Sequence, residues 1–270
     1  MNMNHTMLKS IVCVSLFLFS ARQAFASITV PSEKAKTLNA AMALAKKSDT
    51  IWVESGIYKE HIFLTPGVVL MSKVLFKAVI DGAGKGTVVT MGNGSMISGF
   101  EIRNGTIGIF STTAGARITQ CRILSNQQSG VMCVGNLPQI EDNIIGYNRG
   151  SGIQGWDVRA TSASISHNTI AYNANHGISI GGNSSIIIEN NIIAFNDQFG
   201  IKPSEETVRL ELSKNSFYEN AKFSGVLPDD NFSLNPAFID SKRLNFMLGK
   251  DSQCIGRASD NQNLGARIVY

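Results

Sequence analysis

The sequence predicts an all-β solenoid: coils of three short strands stacked in parallel around one core, with a helix over the first end. Three observations lead there. One phrase recurs about six times over residues 97–220, the copies that carry its first Asn stand 23 to 25 residues apart, and apolar and polar positions alternate within them.

The phrase is an apolar residue, two variable positions, an Asn, a second apolar residue, a second Asn, and then Gly with Ile or Val. The first Asn falls at Asn143, Asn168, Asn191 and Asn215, and Cys121 and Phe100 fill its slot in the two earlier copies. Three residues before each slot stands Ile97, Ile118, Ile140, Ile165, Ile188 or Leu212. Five residues after it come Asn126, Asn148, Asn173, Asn196 and Asn220, and four further on Gly130-Val131, Gly152-Ile153, Gly177-Ile178 and Gly200-Ile201. A period of this size belongs to solenoids and is too short for a helix-turn-helix repeat.

Alternation such as Ala163-Ser164-Ile165-Ser166, rich in β-branched residues, reads as strand. Gly and Asn are expected to supply the corners, because they tolerate left-handed backbone. A coil of three strands buries its inner face only against the coils above and below, stacked about 4.8 Å apart. An inward Asn is costly to bury alone, but identical residues one coil apart can form a hydrogen-bonded ladder. Asn143, Asn168, Asn191 and Asn215 are therefore read as structural, with Cys121 the point where the ladder gives way to apolar packing.

This phrase resembles the right-handed parallel β-helix repeat of the pectin-lyase-like superfamily. The preceding residues resemble that family's opening segment. Residues 32–47 read as an amphipathic helix with Leu38, Ala41, Met42 and Leu44 on one side, broken by Ser48-Asp49-Thr50 before the strand Ile51-Trp52-Val53. Gly56-Ile57-Tyr58-Lys59-Glu60 matches the family's Gly-x-Tyr-x-Glu lead into the first coil. Such a helix would cap the open end of the core. Asn235-Pro236-Ala237-Phe238-Ile239-Asp240 and the motifs after it resemble the closing segment of bacterial β-helix proteins.

Export is expected. Lys9, an apolar run over residues 11–19 and Ala24-Phe25-Ala26 read as a signal peptide over residues 1–26 with cleavage after Ala26, and thus as a periplasmic or secreted protein. Val12 before Cys13 argues against a lipid anchor. The expected organisation is one domain over residues 27–270: cap and opening at 27–60, coils at 61–230 and closing segment at 231–270. No other stretch approaches the roughly 20 apolar residues of a membrane span. Removing Lys9 and Arg22 lowers the formal net charge from +4 to +2, which gives no argument for nucleic acid. Cys121, Cys133 and Cys254 remain: either one pair forms or all three are buried thiols.

By analogy with the family, the groove lies along the strand that begins at the recurrent Gly-Ile. If that Ile or Val points inward, the next residue points out, giving an outward column of Phe110, Met132, Gln154, Ser179 and Lys202. The segment from Gly152 to Asn168 is the longest of its kind, 16 residues, with the extra length at Gly155-Trp156-Asp157-Val158-Arg159. Insertions in repeat proteins collect on one face, often the binding face. Trp156 could stack on a sugar ring, and Asp157 and Arg159 could hold hydroxyls or a carboxylate.

Asn175-His176-Gly177 resembles the Gly-His-Gly strand of polygalacturonases, and Lys202 their Arg-x-Lys lysine. The departures are an acid pair replaced by Gly150-Ser151-Gly152-Ile153 and an Arg replaced by Gly200. Glycosidic hydrolysis needs two flanking carboxylates, so His176 is read as a turn residue at the groove's margin. A calcium-assisted lyase would need several carboxylates around one ion, but Asp157 lies two coils, about 10 Å, from Glu205 and Glu206. No His and Cys cluster suggests zinc, so neither metal nor cofactor is expected.

The fold hosts lyases, hydrolases, esterases, epimerases and binding proteins. The expectation is an exported protein that binds, and possibly processes, an extended polysaccharide or oligosaccharide through Gln154, Trp156, Asp157, Arg159, His176 and Lys202. The alternative is a non-catalytic periplasmic or cell-surface binding or structural protein. An assembly factor for a periplasmic metalloenzyme has support only in the shared fold.

Overall fold

The computed structural model describes residues 27–159, 163–204, 208–221 and 227–268. The expected signal peptide, residues 1–26, and the pair Glu205 and Glu206 lie outside these residues. Among the described residues the chain winds through three parallel sheets, visited in turn on each coil. Sheet 1 has nine strands and includes Thr50–Val53, sheet 2 has eight and includes Gly56–Tyr58, and sheet 3 has seven and includes Ile62–Leu64. Inward positions superpose coil on coil: Ile118, Ile140, Ile165 and Ile188 in sheet 1, and Ile123, Ile145, Ile170 and Ile193 in sheet 2. All eight are fully buried. Each supplies apolar contact to its neighbours and forms one continuous core.

Two Asn ladders run along the two corners that flank sheet 2. Between sheets 1 and 2, Asn143 Nδ2 donates to Asn168 Oδ1 at 3.0 Å, Asn168 to Asn191 at 3.1 Å and Asn191 to Asn215 at 2.9 Å. The ladder continues to Asn231, whose Oδ1 is 3.0 Å from Asn215 Nδ2, and it ends at the other side where Cys121 N–H donates to Asn143 Oδ1 at 2.9 Å. Between sheets 2 and 3, Asn126, Asn148, Asn173, Asn196 and Asn220 repeat the pattern.

The expectation of left-handed glycines holds at the corner between sheets 3 and 1, where Gly94, Gly115 and Gly135 take φ of 64°, 68° and 75°, but the two corners flanking sheet 2 are built differently. The left-handed residue is not the Asn or the Gly but the one before each Asn: Asp142, His167, Asn190 and Lys214 at the first corner, with φ of 56°, 51°, 58° and 52°. Tyr147, Tyr172 and Phe195 hold φ of 55°, 59° and 56° at the second. Each such conformation costs roughly 1–2 kcal/mol for a non-glycine residue, which the ladder bonds of the next residue and ring stacking offset. Tyr147 and Tyr172 stack at 5.1 Å between centroids, Tyr172 and Phe195 at 4.9 Å. The recurrent glycines serve close approach instead. A Cβ on Gly152 would stand 2.9 Å from Asn173 Nδ2 and 2.7 Å from Gly177 O.

At the first end the helix is shorter than residues 32–47. It spans Leu38–Leu44, because Thr37 caps it by accepting the Ala40 N–H and Ala45 is already extended. Leu38, Ala41 and Met42 face the core, but Leu44 points to solvent and Ala45 takes its place. A strand not anticipated, Ser27–Val30, pairs in parallel with Thr50–Val53 and adds an outer layer to sheet 1.

The closing segment folds back along the stack. It forms an antiparallel pair, Phe238–Asp240 with Asn245–Leu248, and then runs over the outer face of sheet 2. There it binds one coil after another. Ser259 N–H donates to Asn190 Oδ1 at 2.9 Å, Ala266 N–H to Thr169 Oγ1 at 3.1 Å and Arg267 Nε to Asp142 Oδ1 at 2.8 Å. Beneath it the outward residues of sheet 2 are small or apolar, including Ile144, Gly146, Ala171, Ile192 and Ala194.

Candidate functional site

Among the described residues, sheet 3 keeps its outer face free of that closing segment. Its outward column is continuous in register: Phe63, Thr90, Phe110, Met132, Gln154, Ser179 and Lys202. The inward neighbours Val131, Ile153 and Ile178 are fully buried, as the Gly-Ile reading requires. Phe63 and Thr90, on the two coils before Phe110, extend the column beyond the five expected residues, and Phe63 is 57% exposed.

The middle of the column is closed to solvent. Gln154 is 9% exposed and Ser179 4%. Ser151 Oγ donates to Gln154 Oε1 at 3.3 Å, Gln154 Nε2 donates to Ser179 Oγ at 3.3 Å, and Ser179 and Ser204 hydroxyls lie 3.4 Å apart. Gln154 is thus a member of a polar chain along the strands, and Lys202 is an exposed charge at its end.

The extra length of this coil is taken up by a bulge in a strand. In Ile153–Val158, Gly155 pairs with Ile180 and Val158 with Gly182, so Trp156 and Asp157 together face the single residue Gly181. Asp157 takes φ of 47°. Bulges re-aim side chains, and this one leaves Trp156 53% exposed beside Val134, which is 38% exposed. Asp157 and Arg159 pair with each other, Nη2 to Oδ2 at 2.9 Å, and both are largely in solvent. Such a pair contributes little to stability.

His176 belongs to the turn before Ile178–Gly182. It is 8% exposed, its Nδ1 accepts the Phe199 N–H at 3.2 Å, its carbonyl accepts the Gly152 N–H at 2.9 Å, and its ring packs against Phe199. The structure therefore gathers Gln154 and Lys202 in one column, sets Trp156, Asp157 and Arg159 beside it, and fastens His176 into the turn. Among the described residues no group of three or more His, Cys, Asp or Glu side chains could hold a metal ion.

Two charged clusters were not anticipated. On the outer face of sheet 2, Arg103 binds Asp81 at 3.1 Å and Glu101 at 2.7 Å, Glu101 also pairs with Arg122, and Arg122 lies 4.7 Å over the Phe76 ring. Burial would raise the Asp81 carboxyl, but bonds from the Ala83 N–H, Arg103 and Asn104 outweigh it and hold it below the ordinary range. The signal was present in Glu101, Arg103 and Arg122, which occupy outward slots that carry no charge in the later copies. The second cluster holds the closing segment: Arg267 binds Asp142 and Glu141, each at 2.8 Å, with Asp260 and His167 alongside. Both clusters consist of opposite charges committed to one another. A recess of about 400 Å³ between this segment and Thr169 is walled by Phe246, Leu248, Leu264 and Ile268.

The family described as Right handed beta helix region matches residues 86–235, more than half of the sequence. The chain belongs to this right-handed β-helix family. Among solved structures it is similar to pectate lyase Pel9A, with a TM-score of 0.62 and 10% identity, covering 90% of this chain and 96% of that one. It is similar to a mannuronic acid specific polysaccharide family 6 lyase from human gut microbiota, with a TM-score of 0.57 and 18% identity over 72% of this chain and 54% of that one. A third, the PL6 family alginate lyase AlyGC, gives a TM-score of 0.52 and 16% identity over 72% of this chain and 32% of the other. At these identities the likeness is one of fold: this β-helix protein shares the coil architecture of polysaccharide lyases, and its site is read from its own residues.

Proposed function

We propose that this β-helix protein is exported and holds an extended polysaccharide against the outward face of sheet 3. The observation that carries the reading is Trp156, raised by a bulge and half in solvent beside a column of side chains in register from Phe63 to Lys202. Coils repeat about every 4.8 Å, comparable with one sugar unit of an extended chain, so successive sugars would meet successive coils. Aromatic rings offer sugar faces area and a polar edge offers hydrogen bonds. Binding is favoured over chemistry because His176 is tied into its turn and Asp157 is paired with Arg159. Processing of the bound chain is the second reading, motivated by the exposed amine of Lys202 at the end of the column.

Screening the purified protein on a glycan array, followed by analysis of any hit for cleavage or epimerisation products, tests both readings. A polysaccharide hit without product supports the binding protein; product formation supports the enzyme. An array without a polysaccharide hit would overturn the proposal. Export is tested by N-terminal sequencing, with Ser27 expected first; an intact Met1 on a cytoplasmic product would refute it.

A further inference from the structure

We infer that sheet 3 selects a neutral polysaccharide, gripped by stacking rather than by charge; the inference rests on the reading of that face as the binding site. Six successive outward positions, from Phe63 to Ser179, carry uncharged side chains. Phe63 is 57% exposed, Phe110 and Met132 are half-buried, and Trp156 and Val134 add exposed apolar surface one position along the strands. Single apolar residues are ordinary on a protein surface, but Phe110 and Met132 on successive coils, with Val134 and Trp156 alongside, make an apolar patch, and Phe63 stands beyond Thr90.

The charges around these positions lie in turns, in a mutual pair or at the end of the column, not on the uncharged outward positions themselves. Asp157 and Arg159 neutralise one another. The turns leading into the strands carry both signs, Lys85 and Arg149 against Asp197, and Lys202 stands at one end of the column. A polyuronate would bring about one carboxylate to each coil, and a carboxylate pressed against Phe63, Phe110 or Met132 loses hydration without gaining a partner. The C–H face of a neutral hexose loses nothing comparable there and gains contact with the rings.

The test is calorimetric titration of the purified protein with three oligosaccharides of equal length: a neutral β-linked glucan, an oligogalacturonate and an oligomannuronate, each at low and high salt. The neutral chain is expected to bind most tightly, with an affinity that salt leaves unchanged. Phe63→Ala and Phe110→Ala should each weaken it up to roughly tenfold, in proteins shown by melting to be folded; Phe63 is exposed enough for its variant to fold regardless. Tighter binding of either uronate chain, weakening with salt, would overturn the inference and leave the face as the site. No binding of any of the three would overturn the site as well. Neutral binding indifferent to both Phe substitutions would move it elsewhere.

Discussion

Asn168 presents its backbone N–H and its side-chain Nδ2 to the same oxygen, Oδ1 of Asn191, at 2.8 and 3.1 Å. One amide oxygen thus satisfies two buried donors of the coil before it, while the Asn191 amide nitrogen bonds to Ile165 O, Glu189 O and Asn215 Oδ1. Asn191→Ala should therefore cost about 1–3 kcal/mol by leaving buried donors unpaired. Asn183→Ala, at an exposed turn, should cost far less. Denaturant melts of the two variants measure the difference, and equal losses would contradict the ladder's role.

Trp156 is the residue on which the proposed site depends most. Trp156→Ala should weaken a polysaccharide found by screening by about 1–3 kcal/mol through lost stacking and buried area. Its melting temperature should stay close to the parent's, since half of the side chain lies in solvent. Unchanged affinity in calorimetry would place the ligand on another face.

His167 should make stability depend on pH. Burial, reinforced by Arg267, pushes its imidazole below the usual value of 6.5, although Asp142, Asp260 and Glu141 pull the other way. The neutral ring is thus favoured in the folded state. Above pH 6.5 both states hold it neutral; as pH falls below that value the unfolded chain gains the proton first, so stability declines until the lower folded value is passed. Thermal melts between about pH 7.5 and 5 should show a steeper decline for the parent than for His167→Gln. Parallel profiles would exclude the effect.

The thiols should be silent. Cys121, Cys133 and Cys254 are free and buried, and burial pushes Cys121 up to about 12 and Cys254 up to about 11, with Cys133 raised as well. Low thiolate content and no access both suppress reaction. The folded protein lacking residues 1–26 should not react with a thiol reagent, and denaturant without reductant should release three thiols per chain. Release of one would reveal a disulfide.

The stack was legible because its physics repeats. A residue that must sit at one corner of every coil writes itself into the sequence at a fixed interval, as Asn143, Asn168 and Asn191 do. The coils before Ile97 carry no copy of the phrase, so their span could be read from the sequence but not their register. Outward positions followed from alternation alone, which placed Gln154, Ser179 and Lys202 in one column. Alternation gives direction and not depth, so it could not tell that Gln154 is enclosed by Ser151 and Ser179 while Phe63 stands open. The path of the closing segment also left a trace that was not used. Ile144-Ile145-Gly146 and Ile192-Ile193-Ala194 are apolar on both faces, as strands covered on both sides are.

The bonds from Ser259, Ala266 and Arg267 to Asn190, Thr169 and Asp142 have a consequence for how the molecule comes apart. A solenoid held only by contacts between adjacent coils frays from either end, one coil at a time, with stability a sum of local terms. Here a single strap spans residues 125 positions apart, Asp142 to Arg267, and fastens successive coils to one another. No coil beneath it can leave the stack while the strap is in place. The coils carrying Asp142, His167 and Asn190 are thereby made one cooperative unit, whose amides should exchange together, whereas the coils before Phe100 retain the freedom to open from their own end.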